Sequence, residues 1–288
     1  MDAKQLKWVY LLVLSLIWGS SFILIKRGLV GLSAVQVGSF RIIFAAIFLL
    51  IIGFNSLKKI PLPKWKFIAL TSLFGTFIPA YFFAIAETEV DSSIVAILNA
   101  LTPLNTLILG ALFFGIQSQK RQFLGVTIGL IGCLLLVFNG AVNHPNQNYY
   151  FTILVVIATI CYAVNVNLIK RYLSDLSSLS ITTGNFAVLL LPALIILSTT
   201  DFPQRIHLET AQHSILFVMI LGVLGTGIAN VLFFKLIQMS SPVFATSVTY
   251  LIPIVAFFWG LLDNEMLTHI QFLGALIVLV GVYLSARK

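Results

Sequence analysis

Apolar residues run along this chain in long unbroken blocks, separated by short polar clusters. Residues 130–138 (LIGCLLLVF) show none of the alternation a β-barrel strand needs for its two faces. As a helix, about 20 mostly apolar residues cross the hydrocarbon core. Windows of that kind fall at 8–25, 34–52, 66–86, 92–114 and 123–138. A second set falls at 150–169, 180–198, 214–237, 242–262 and 270–285. The pattern predicts an all-α membrane protein with ten transmembrane helices, called segments 1 to 10 here. Only 139–148 and 199–213 are long polar connections.

The first of those connections lies at the midpoint, and the two flanks resemble each other. Leu24-Ile25-Lys26-Arg27 recurs as Leu168-Ile169-Lys170-Arg171, and Gly38-Ser39-Phe40 as Gly184-Asn185-Phe186. Gly75-Thr76, with Ile78 and Phe83, recurs as Gly225-Thr226, with Ile228 and Phe233. Pro103 matches Pro253, and Gln122-Phe123-Leu124-Gly125 matches Gln271-Phe272-Leu273-Gly274. The separations drift only from 144 to 150 and the order is kept, so the chain reads as a duplicated five-helix unit, 1–140 and 149–288. Five is odd, so the second copy enters the membrane from the opposite side: the repeats are inverted.

Charge tests that topology. With a cytoplasmic N-terminus, thirteen basic residues sit at inside ends: Lys4, Lys7, Lys58, Lys59, Lys64, Lys66, Lys120, Arg121, Lys170, Arg171, Lys235, Arg287 and Lys288. Three sit outside: Lys26, Arg27 and Arg205. The bias obeys the positive-inside rule and puts both termini in the cytoplasm, in the cell inner (plasma) membrane. Lys26 and Lys170 read most simply as topology anchors. Asp91, Asp263 and all four His fall outside.

Composition agrees. Hydrophobic residues make up 59% of the 288 and charged residues 9%. A soluble domain carries about 25% charge. The 24 Phe argue against disorder. Cys133 and Cys161 lie within apolar runs and read as core, so no disulfide framework is expected. The net charge of +8 flanks apolar segments, which suits lipid headgroups and topology rather than nucleic acid. Lys26-Arg27, where a signal peptide would be cleaved, marks the first segment as a retained helix.

Inverted repeats are a common architecture of secondary transporters, with the substrate site near the midplane between the halves. Residues suited to such a site are present. Pro103 and Pro253 lie near mid-depth in segments 4 and 9 and are candidate hinges. Asn99, Thr102 and Thr106 share one face of segment 4; Thr246, Thr249, Tyr250 and Pro253 share one of segment 9. Asn165, Asn167 and Asn230 add amides in segments 6 and 8. An amide facing lipid costs several kcal/mol, so these point into protein or water. Arg41, roughly 12 Å into segment 2 by helical rise, is too deep to snorkel. Its counterpart in the second half is Ala187, so the repeat's packing does not demand it. Two readings stand side by side, a fixed cation for an anionic substrate and an internal ion pair with Glu87. Trp18 and Tyr162 are a symmetric aromatic pair near mid-depth, and Tyr81 lies close to the same zone. Gly125, Gly129 and Gly132, with Gly274 and Gly281, form small-residue faces for close helix contact, within one copy or between two.

With these residues in view, the chain resembles an EamA-type member of the drug/metabolite transporter superfamily. The resemblance spans the chain. It rests on Trp18-Gly19-Ser20-Ser21-Phe22, Arg41, the Leu-Thr-Pro ending at Pro103, the Leu-Ile-Pro ending at Pro253, and the Gln-x-x-Gly openings of segments 5 and 10. It implies a ten-helix inverted-repeat carrier, in many cases an exporter of amino acids or related metabolites. The implied cavity is lined by segments 1, 3, 4, 6, 8 and 9. The acidic residue before segment 10 is present as Glu265, whereas the first half has only Gln117 and Gln119.

The expectation is a secondary transporter of small organic metabolites, an exporter of amino acids or related carboxylate-bearing solutes, working by alternating access without a cofactor or metal. Candidate substrate-binding residues are Trp18, Arg41, Tyr81, Asn99, Thr102, Tyr162, Asn165, Asn230, Thr249 and Tyr250. Its partners are the small-molecule substrate and the bilayer; monomer and homodimer both remain open. No Gly-x-x-x-x-Gly-Lys-Ser/Thr occurs, so ATP would have to come from a partner. The alternatives are a non-transporting receptor or scaffold, and an intramembrane enzyme, for which no paired Asp or metal-spaced His is present in the segments.

Overall fold

The computed structural model describes residues 3–90, 92–116, 119–143, 148–262 and 269–286. Asp91, Gln117, His144, Asp263, Glu265, Arg287 and Lys288, named above, lie outside the described residues, as does the side chain of Cys133. Among the described residues the chain is helical, and every apolar window falls on a helical stretch. Six of these helices are long and apolar enough to cross a membrane, and shorter apolar helices accompany them.

In chain order, α1 is Ala3–Gly28 and α2 is Ala34–Leu57. The next stretch, Leu62–Ala86, is divided: α3 (Trp65–Ser72), a wide i→i+5 turn at Leu73–Phe77, and α4 (Ile78–Ala86). Then come α5 (Ser92–Leu98), a tight 3-10 turn at Asn99–Leu101, α6 (Thr102–Phe113) and α7 (Lys120–Asn143). The second half has α8 (Thr152–Tyr172), α9 (Ser178–Ser198), the short α10 (Phe202–Arg205) and α11 (Glu209–Ile220). A second wide turn, Leu221–Ile228, leads into α12 (Ala229–Met239). The chain continues with α13 (Pro242–Thr246), α14 (Val248–Leu262) and α15 (His269–Ala286).

Helix starts follow local chemistry. Ser33 caps α2, accepting from the Gln36 amide at 3.3 Å while the Gln36 side chain accepts from the Ser33 N–H at 2.9 Å. This reciprocal box satisfies two orphan donors. Ser177 caps α9, accepting from the Ser180 amide at 3.0 Å. Ser241 caps α13, with Pro242 in the first turn, where a missing N–H costs nothing. Gly115, at φ +61°, takes the left-handed conformation that ends the α6 stretch.

Packing pairs equivalent elements: α2 lies on α9, and α7 on α15. The remaining helices form two groups. In one, α1 packs against α11, α12 and α14. In the other, α8 packs against α3, α4 and α6. The first helix of each half has thus joined the other half's helices. Gly281 meets the Gly129 and Gly125 backbones directly, so the small-residue face is used within the chain.

Candidate functional site

Between the two groups lies a cavity with about 800 Å³ of empty space, counting that at its mouth. Its wall uses equivalent positions from both halves. Trp18 on α1 answers Tyr162 on α8; Thr76 and Phe83 answer Thr226 and Phe233; Asn99 answers Thr249. Thr102 and Thr246 bound it too, as do the apolar Phe22, Ile25 and Ile252. Mostly apolar walls with a few convergent polar groups are the usual make-up of a small-molecule site.

The wide turns build this wall. A turn closed i→i+5 pushes carbonyls off the helix axis and leaves them free for side chains, and such turns cluster at functional sites. The Gly225 carbonyl accepts from the Trp18 indole Nε1 at 2.9 Å, and the Trp18 ring meets Phe233 edge-on at 4.9 Å. Thr226 Oγ1 donates to the Leu221 carbonyl at 3.1 Å and accepts from Arg41 Nε at 2.7 Å. A hydroxyl has one proton, so committing it to Leu221 turns its lone pairs toward the guanidinium. Gly222 lets the turn approach α2: a Cβ there would stand 2.9 Å from the Arg41 carbonyl. Arg41, one of the residues lining the cavity, is therefore held by its Nε. Among the described residues it forms no ion pair, and Glu87 acts on it only through longer-range attraction. At Gly75, a Cβ would lie 2.5 Å from the Asn165 amide, so glycine is what lets that amide sit against the turn. Thr76 Oγ1 and Asn165 Oδ1 are buried and lack hydrogen-bond partners among the described residues.

Eight of the sequence candidates line this cavity together: Trp18, Arg41, Asn99, Thr102, Tyr162, Asn165, Asn230 and Thr249. Tyr81 and Tyr250 do not. Tyr81 turns to α2, bonding Ser39 at 3.0 Å, with its ring over Gly38. Tyr250 is fully buried against Gly129 and donates to the Val126 carbonyl at 3.1 Å. Each ring fills space that a neighbouring glycine leaves. Asn167 is also away from the wall, tying α8 to the Thr106 carbonyl at 3.1 Å. Pro103 and Pro253 do not line it either. Pro103 stands in the first turn of α6, after the break at Asn99–Leu101, and Pro253 lies within α14. Among the described residues no His, Cys, Asp or Glu group could hold a metal ion, and Cys161 is a buried free thiol.

Sequence reasoning had Gly75-Thr76, Gly225-Thr226, Phe83 and Phe233 only as marks of duplication. All but Gly225, whose carbonyl instead takes the Trp18 indole, stand on the wall, so the duplication carried a signal for the site as well.

Glu87 follows directly on the span Leu62–Ala86. Its Oε2 accepts from Ser92 Oγ at 2.9 Å, while Oε1 is buried and has no partner among the described residues. Burial pushes this carboxyl up to about 8, against the opposing pull of Ser92, Arg41 and Lys26. The folded chain therefore keeps a proton that the unfolded chain releases near pH 4.5, and this group's contribution to stability falls as pH rises from there to about 8. Glu87→Gln is expected to raise the melting temperature relative to the parent at pH 9 and less so at pH 5. An equal difference at both pH values would contradict the assignment.

The EamA-like transporter family model matches residues 6–138 and, a second time, 150–287. The uncharacterized inner membrane transporter YedA of Escherichia coli K12 is 28% identical over 279 residues, covering 95% of this chain and 88% of that protein. An uncharacterized transporter of Archaeoglobus fulgidus is 24% identical over 98% of this chain and 99% of its own. A probable amino-acid metabolite efflux pump of E. coli K12 is 24% identical over 96% and 93%. A solved protein structure shares the fold with a TM-score of 0.74 at 14% identity, covering 98% of this chain and 96% of that one.

Proposed function

The chain belongs to the EamA-like transporter family, and from that premise we propose that it exports small carboxylate-bearing organic solutes, amino acids or their relatives, as a secondary carrier. The observation that carries this reading is Arg41, fixed by Thr226 and, among the described residues, the one basic side chain on a wall of hydroxyls, amides and apolar groups. A planar guanidinium with free donors suits a carboxylate. The ring pair Trp18 and Phe233 suits an apolar body on the same solute. The efflux-pump name of one relative favours the outward direction and this solute class.

The proposed mechanism is alternating access between two inverted five-helix repeats, 1–140 and 149–288, with ten spans and both termini cytoplasmic. The twofold family match, the equivalent wall positions and the one-sided basic residues support it. Trp18, Arg41, Asn99, Thr102, Tyr162, Asn165, Asn230 and Thr249 are the proposed substrate contacts.

Counterflow in proteoliposomes tests the reading. Radiolabelled amino acids and small organic acids are compared with their carboxamides. Carboxylates are expected to exchange, and the matching amides to exchange at least about tenfold more slowly, the loss of one charged hydrogen bond. Equal exchange of acid and amide would sink the carboxylate assignment.

A further inference from the structure

The two repeats carry the same lysine in two different states. Lys170 ends α8, and its equivalent Lys26 ends α1. Lys170 is no headgroup anchor. Its Nζ donates to the Ser240 carbonyl at 2.7 Å, to Ile237 at 3.1 Å and, more weakly, to Gln238 at 3.5 Å. These carbonyls lie at the end of α12, where the helix dipole favours a cation. Gln238 answers by donating to the Leu176 carbonyl at 2.7 Å. Because α8 and α12 belong to opposite helix groups, these bonds tie the two groups together beside Lys7 and Phe244, at the face carrying the N-terminus.

At the opposite face Lys26 is exposed and makes no hydrogen bond among the described residues. The position equivalent to Ile237 in the first half is Glu87, at the end of α4. There the carbonyls of Ile85 and Ala86 are already taken, by the amides of Thr88 and Glu89 at 3.2 and 3.1 Å. What that end offers a lysine is the Glu87 carboxyl, which gives up its proton on docking and whose Oε1 has no partner among the described residues. As α1 and α4 again belong to opposite groups, Lys26 on Glu87 would also tie the groups together.

We propose that Lys170 and Lys26 are alternating latches: Lys170 holds the groups together at the N-terminal face in this conformation, and releases when Lys26 docks on Glu87 at the other. The inference rests on the alternating-access reading and adds the residues that set its two end states.

A full-length chain with Cys133→Ser and Cys161→Ser, carrying Asn230→Cys at a half-buried position of the cavity wall, is labelled with a membrane-impermeant maleimide from one face of sealed vesicles at a time. Labelling from both faces is expected. Lys170→Met is expected to raise the ratio of N-terminal-face to opposite-face labelling about tenfold, the worth of a charged hydrogen bond in such an equilibrium. Lys170→Arg keeps the donors and stays near the parent. Lys26→Met and Glu87→Gln shift the ratio the other way, so they decide the matter even if Lys170→Met fails to fold. Labelling from both faces with parental ratios in Lys170→Met, Lys26→Met and Glu87→Gln overturns the latches and leaves alternating access standing. Labelling from one face only, in every variant, overturns both.

Discussion

Arg41→Ala is expected to lower kcat/KM for carboxylate solutes by about 10²-fold or more while leaving the fold intact. A hydrogen bond to a charged group is worth about 1.5–3 kcal/mol, and a forked guanidinium can supply two to one carboxylate. In the cavity nothing replaces it, since among the described residues Arg41 is the only basic side chain on the wall. The fold should survive because the protein already contains the substituted version: the equivalent residue in α9 is Ala187. Only the bond to Thr226 is lost, and that hydroxyl still donates to Leu221. Arg41→Lys keeps the charge but not the fork and should fall between the two. Unchanged counterflow in Arg41→Ala, with an unchanged melting temperature, would mean that the guanidinium serves the protein and not the solute.

Periodicity and repetition made much of the fold legible. Each apolar window reappears as helix, because in a bilayer the backbone must satisfy its own hydrogen bonds and long apolar runs leave few alternatives. The interruptions were harder to read. Leu73–Phe77 and Leu221–Ile228 widen by about one residue per turn, and hydropathy is blind to that. The duplicated Gly-Thr pairs marked both turns without saying what they were.

At the site, depth was legible and rotation was not. Trp18, Tyr162, Asn99 and Thr249 were placed by their distance along a helix and their symmetric positions, and all four reach the cavity. Tyr81 and Tyr250 stand at comparable depths, yet Gly38 and Gly129 on neighbouring helices draw them away. Which glycine faces which ring depends on long-range packing that one chain's pattern does not carry. Lys170 is a similar case: its charge suggested an anchor, and only the end of α12 reveals its partners.

The small-residue faces carry the second large prediction. Gly281→Leu is expected to destabilise the protein by about 3 kcal/mol or more, beyond the usual 1–3 kcal/mol of an overpacked core. Most overpacked sites relax because a flexible side chain yields. Here a Cβ on Gly281 would stand 2.6 Å from the Gly129 Cα and 2.7 Å from the Gly125 carbonyl oxygen, and neither is a side chain that can rotate. Helices α7 and α15 would have to separate along their shared face, losing the close backbone contact that small residues exist to permit. Tyr250, whose ring lies on Gly129 and whose hydroxyl bonds Val126, would lose its seat on α7 as well. The expected result is a large fall in melting temperature in detergent, with little monodisperse protein recovered, although no cavity residue has been touched. A Gly281→Leu protein that melts with the parent would show that α7 and α15 do not meet along this face.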